Sequence, residues 1–134
     1  MHMEKIMTLK LWTTLLIILI AAILVVIWLK DYKIRKSVEK IQTSLYAETP
    51  MGTPYSEVLN KIKNINLKPN VSKTAGFLKQ EDGTPKTVGV SSIRVHLGDY
   101  WTFPLSRVSV TGFWGFDQKG ELIEIWIWKT TDSL

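Results

Sequence analysis

The residues able to do chemistry are few. His96 is the one histidine beyond the first apolar run, and Asp99 is the acid nearest to it in sequence. A histidine beside a carboxylate can act as an oriented base for a serine, or begin a metal site. Nothing around this pair completes either chemistry. The chain has no Cys, which removes disulfides, thiolate zinc sites, iron–sulfur clusters, thiol nucleophiles and Cys-linked lipid anchors. No nucleophile elbow, P-loop, G-x-G-x-x-G or H-E-x-x-H occurs. Asp117 and Glu121 form an acid pair, but they flank a turn signal, where acids solubilise. His96 alternates out of phase with Ile93, Val95 and Leu97, so it is expected on the more polar side of a strand. From this inventory no catalytic, cofactor-binding or metal-ligating residue is expected, and no cofactor. A Ser–His–Asp arrangement stays open on spacing alone.

The elements that would carry such groups fall into two parts. From Leu11 to Leu29 the sequence LWTTLLIILIAAILVVIWL holds nineteen residues without a charge. As a helix it spans about 28 Å, close to the hydrocarbon thickness of a bilayer. Trp12 and Trp28 lie near its two ends, where indoles favour the membrane interface, and Lys10 and Lys30 bracket it. Thr13 and Thr14 can return their hydroxyls to helix carbonyls. The run exceeds a signal-peptide core and lacks a small-residue cleavage site, so an uncleaved signal anchor is expected. The expected organisation is a tail over 1–10, a transmembrane helix over 11–29, a juxtamembrane stalk helix over 30–49 and a small domain over 50–134.

The net charge of +5 is largely local. Lys30, Lys33, Arg35, Lys36 and Lys40 follow the run, against Asp31 and Glu39, whereas residues 48–134 hold ten cations and nine anions. The basic balance therefore gives no ground for nucleic-acid binding. Trp12, Trp28, Lys30, Lys33, Arg35 and Lys36 are the candidate membrane-interface residues, suited to lipid headgroups. Two cations precede the run (Lys5, Lys10) and five follow it, so the positive-inside count places the C-terminal domain in the cytoplasm.

Past the run, Ile34, Val38, Ile41 and Leu45 form one apolar stripe at helical spacing. It either packs the stalk onto the domain or pairs two copies as a coiled-coil homodimer, although two heptads are short for the latter. Thr49-Pro50 ends this helix. A second helix follows in MGTPYSEVLNKIKN, with Thr53 as N-cap, Pro54 in the first turn and Val58, Leu59 and Ile62 on its buried face. Residues 67–87 carry turn signals and at most one short strand. Period two then sets in over 88–97, 107–116 and 121–129. Asp117-Gln118-Lys119-Gly120 reads as a type I turn closed by a G1 bulge. The domain is thus expected to be α+β, with one helix packed on a three- to four-stranded antiparallel sheet.

Trp101, Trp114, Trp126 and Trp128 crowd the last 34 residues. If Asp117 pairs with Glu121, continuing that register places Trp114, Trp126 and Trp128 on one face and Ile123, Ile125 and Ile127 on the other. The isoleucine face suits the helix. The Trp face is the candidate partner-binding surface, because indoles bury well and still seek a hydrogen-bond partner.

The start Met51-Gly52-Thr53-Pro54-Tyr55-Ser56-Glu57-Val58, followed by a strand meander, resembles the SmpA/OmlA and beta-lactamase-inhibitor-like superfamily of small bacterial envelope domains. The ending FDQKGELIEIWIWKTTDSL resembles the close of small bacterial envelope proteins. The resemblance covers residues 50–134 and departs from the lipoprotein pattern, since a membrane helix replaces a lipobox Cys. It implies a domain outside the cytoplasmic membrane that binds protein rather than catalysing a reaction. The expectation is a single-pass, non-catalytic protein-binding module of the cell envelope, such as an assembly accessory, inhibitor or immunity-type protein, its partner unspecified. Two other readings stand: a cytoplasm-facing single-pass subunit that recruits a partner, and an envelope hydrolase.

Overall fold

A computed structural model describes residues 2–133. Met1 and Leu134, the outermost residues of the expected tail and domain, lie outside the described residues. The chain divides into two compact units, Met1–Lys33 and Ile34–Leu134.

The first unit is helical. Helix α1 runs His2–Arg35, so residues 2–10, expected as a separate tail, are the first turns of the same helix. It is long and apolar enough to cross a membrane, and none of its apolar stretch is buried within the protein. The hydroxyls of Thr8, Thr13 and Thr14 each donate to the carbonyl four residues back at 2.8 Å. Those bonds satisfy the polar side chains inside the helix itself, as an apolar medium demands.

The second unit is an α+β domain. It comprises α2 (Val38–Glu48), α3 (Tyr55–Asn64), β1 (Pro69–Ser72), β2 (Phe77–Glu81), β3 (Thr84–Val88), β4 (Ser91–Thr102), β5 (Ser106–Phe116) and β6 (Leu122–Ser133). An antiparallel sheet in the order β1-β4-β5-β6 forms the middle layer, and β2-β3 is a separate hairpin. The sheet and the α3 helix match the expected fold class. Two features go beyond it: α2 packs on the sheet as well as α3, and β2-β3 forms a second small sheet. Residues 67–88 hid the strands β1, β2 and β3 because Pro69 and Pro85 read as breakers. Both sit at sheet margins, where a missing N–H is tolerated. Asp82 and Gly83 both have positive φ (54° and 73°), which closes β2-β3 by a tight turn.

The stalk is not a spacer. The helix breaks at Lys36-Ser37, where the Ser37 hydroxyl accepts the Lys40 N–H and caps α2. Ile41 is buried, and Ile34, Val38 and Leu45 pack beside it against the sheet. The stripe thus packs on the domain's own core, with Ile41 buried and the other three partly buried. Tyr46 and Gln42 also cap the β6 margin: the Tyr46 hydroxyl accepts the Ile125 N–H at 2.8 Å, and the Gln42 amide donates to the Ile125 carbonyl. A polar edge that would otherwise await another strand is covered in this way.

Helix α3 starts one residue later than its sequence suggests. Pro54 is the N-cap and contributes no side-chain bond. The buried Thr53 hydroxyl donates backwards to the Pro50 carbonyl instead. It faces backwards because the loop belongs to the sheet. Gly52 N–H donates to the Leu122 carbonyl, Leu122 N–H to Thr53, and Tyr55 N–H to Gly120, each at 2.8–2.9 Å. Gly52, at φ 88°, is what lets the loop lie along the hairpin. Val58 and Ile62 then reach the core, and Asn66 closes the helix at φ 59°.

Candidate partner-contact surface

The β5-β6 turn forms as its residues require. Asp117 N–H donates to the Glu121 carbonyl at 2.9 Å, and the Asp117 carboxylate accepts the N–H groups of Lys119 and Glu121. Gly120 supplies the positive φ of the G1 bulge, at 77°. Phe116 then pairs with Leu122 as the simple register demands.

One step further the register slips. Gly115 pairs with Glu124, leaving Ile123 as an extra, bulged residue. Every pair beyond it moves by one: Trp114 lies opposite Ile125, Phe113 opposite Trp126, Gly112 opposite Ile127 and Thr111 opposite Trp128. The expected common face of Trp114, Trp126 and Trp128 is therefore divided. Ile125 and Ile127 do face the helices, but Trp114 joins them and Ile123 leaves.

Trp114 is a core residue at 2% exposure. Its indole N–H donates to the Thr49 hydroxyl at 3.3 Å, and its ring lies over Gly112, where a Cβ would come within 2.9 Å. It is closed to any partner, which corrects its place in the candidate surface.

Trp126 and Trp128 lie on the outer face. The β2-β3 hairpin packs on that face, with Phe77 stacked on Trp126 at 6.1 Å and 6°, and Phe113 5.3 Å from Trp126. Gly115 makes the crossing feasible, since a Cβ there would meet the Phe77 ring at 2.9 Å. Lys79 fastens the hairpin through Glu124 at 3.1 Å and Glu81 at 3.3 Å. Burial alone would lower the Lys79 pKa, but the hydrogen bonds and charges of Glu124 and Glu81 outweigh it and hold the ammonium above its usual range. Trp126 is left 8% exposed, while Trp128, 5.0 Å from it, stands at the hairpin's margin and is 37% exposed. The aromatic surface still open to a partner is therefore Trp128 with its flanking strand residues.

On the same outer face, His96 Nε2 lies 3.3 Å from Asp99 Oδ1, and the Ser109 hydroxyl donates to the same oxygen. That hydroxyl is the first reason the Asp99 carboxyl sits below its usual pKa, with the charges of His96 and Arg107 adding to it. The carboxylate stands between the hydroxyl and the imidazole. A nucleophilic triad needs the imidazole in the middle, to take the hydroxyl proton. Among the described residues no group of three His, Asp or Glu side chains could hold a metal ion.

The candidate membrane-interface residues divide between the two units. Trp12, Trp28, Lys30 and Lys33 belong to α1, with Trp28 5.4 Å from Tyr32. Arg35 and Lys36 belong to the domain. The Arg35 guanidinium lies 4.9 Å from the Tyr100 ring centroid, and the Lys36 carbonyl accepts the Lys129 ammonium at 2.6 Å.

A further surface escaped the sequence reading. A second bulge, at Leu97, carries β4 past Gly98 to Thr102, so β4 and β5 form a long hairpin whose tip is Trp101 to Leu105. Trp101, Phe103 and Leu105 are all exposed there. Three large apolar residues within five, beside Pro104, are a legible signal, concealed because the period-two pattern stops at residue 97 and resumes only at 107. Compared with protein-family models, with curated proteins and with solved structures, the chain matches none.

Proposed function

We propose that this protein is a single-pass membrane protein whose small α+β domain binds another protein at the membrane, without catalysis. The observation that carries this reading is the join itself: an apolar helix with no burial in the protein runs directly into a domain that leaves Trp128 open beside a packed aromatic cluster. An indole on the face of a rigid sheet offers contact area at little entropic cost. The domain belongs, on this reading, to the bacterial envelope and faces away from the cytoplasm. The resemblance of its helix start and final hairpin to small envelope domains supports that side.

The two resembling segments are physically one unit. The Gly52–Tyr55 loop is bonded to Gly120–Leu122 by three backbone hydrogen bonds.

The cytoplasm-facing alternative draws on one observation, the five cations after the apolar run against two before it. A C-terminal reporter active only outside the cytoplasm separates the two, and activity is expected. Partner binding is tested in living cells with a photo-crosslinking residue at position 128 and a control at 119. A protein adduct specific to 128 is expected. Its absence, with the protein still in the membrane fraction, would sink the binding reading.

A further inference from the structure

The β4-β5 tip leaves large apolar side chains in the open. Phe103 is 98% exposed, Leu105 64% and Trp101 52%. Three large apolar side chains standing together in water are unfavourable, and such a patch marks a contact surface. Its position in the domain suggests which surface. Tyr100, one residue before the tip, lies against Arg35, and Lys129 bridges the Tyr100 hydroxyl (3.1 Å) to the Lys36 carbonyl. Ile34 and Arg35 are where the chain leaves the domain for the apolar run, which ends at Leu29.

Four residues lie between Leu29 and Ile34, which makes five steps along the chain. They span about 7.5 Å as helix and at most about 17 Å when extended. Phe103 lies three residues beyond Tyr100, just past the end of β4, a reach of at most about 10 Å. The domain that carries the tip is thus tethered to the apolar run by a short stretch of chain. Cations flank the tip as well. Arg107 pairs directly across from Trp101 and lies 3.7 Å from Asp132, while Arg35 and Lys129 lie over the Tyr100 ring, one residue behind. Exposed Trp and Phe with Lys and Arg behind them is the composition that suits the boundary between acyl chains and headgroups.

We propose that the tip, Trp101 to Leu105, seats in the headgroup region of the same bilayer that α1 crosses, giving the domain a second hold on the membrane. This rests on the membrane reading of α1. The bilayer, rather than a protein, is the occupant because the covalent link keeps it permanently at hand, so the tip meets it at high effective concentration.

The test uses the full chain in vesicles of phosphatidylcholine and phosphatidylglycerol. Because the chain has no Cys, a single Cys can be labelled cleanly with an environment-sensitive fluorophore. Phe103→Cys is the reporter, Ile20→Cys marks the helix, and Lys119→Cys marks the far end of the β5-β6 hairpin. The label at 103 is expected to shift to the blue and to be quenched several-fold more by headgroup-level spin labels than the label at 119. The label at 20 should be quenched by spin labels deep in the acyl chains. A water-like label at 103 with a deeply quenched label at 20 overturns the tip proposal and leaves the membrane reading standing. A water-like label at 20 overturns the membrane reading itself. Phe103 is almost fully exposed, so its replacement leaves the fold intact.

Discussion

Trp126 lies directly across the β5-β6 ladder from Phe113, not from Gly112 as an unbulged hairpin would place it. That one-residue displacement, made by Ile123, decides the fate of every tryptophan in the hairpin. Trp114 turns inward onto Gly112 and toward Thr49, and Trp126 turns outward under Phe77. It also lets Leu122 and Ile125, three residues apart, share the core.

Trp114→Ala should cost about 3–5 kcal/mol of domain stability, the usual loss for a buried aromatic. Trp128→Ala should cost under about 1 kcal/mol, since Trp128 is partly open. Urea unfolding of the full chain in detergent, followed by circular dichroism, measures both. Equal losses would mean that the two residues share an environment and that the bulge is misplaced.

Thr53→Ala should cost about 0.5–1.5 kcal/mol, through the lost hydroxyl bond to the Pro50 carbonyl. The informative variant is Thr53→Asp. A carboxylate is among the best N-caps, but it cannot donate to a carbonyl. It should therefore be no better than Ala, whereas Thr53→Ser should retain most of the stability. Rescue by Asp would restore the N-cap assignment.

The Tyr55 hydroxyl is buried without a hydrogen-bond partner, and its ring packs edge-on against Phe116 at 4.9 Å. Burial holds its pKa above the ordinary tyrosine value. Tyr55→Phe removes the unpaired hydroxyl and keeps the ring, so stability should stay level or rise by about 1 kcal/mol. A drop of that size on unfolding would reveal a hydrogen bond that this geometry lacks.

Lys79 carries the pH dependence of the hairpin. Its folded-state pKa is raised, so its contribution is complete below the unfolded-state value and is lost as pH rises through the folded one. Stability should therefore fall at high alkaline pH more steeply in the natural chain than in Lys79→Met. Unfolding midpoints from neutral to strongly alkaline pH, taken as the difference between the two proteins, isolate this group. Parallel curves would mean that Lys79 holds no proton more tightly in the folded state.

Some of this protein is written locally. The nineteen uncharged residues identify the apolar helix, because length and composition alone set that property. Asp117 and Gly120 fix their turn, since a carboxylate and a positive-φ residue act within four positions. The α+β class follows from period 3.6 giving way to period two. The apolar stripe of α2 was equally visible, but its destination was not. Ile41 could have faced a second copy, and only the folded domain shows that the sheet takes it.

The bulges lie beyond the sequence for a physical reason. Glu124 to Trp128 alternates without a flaw, and nothing in the string before it marks Ile123 as the residue to leave out. The bulge forms because Phe116, Leu122, Trp114 and Ile125 all gain burial on one side, while Phe77 and Trp126 stack on the other. Those gains join segments far apart in the chain. Period two says that neighbours point to opposite faces; which face is the inside depends on what packs there. The inside here is set by α2, α3 and the loop bonded along the hairpin. The inward Trp114, the half-covered Trp128 and the bare tip at Phe103 are therefore products of tertiary packing, not of any local rule.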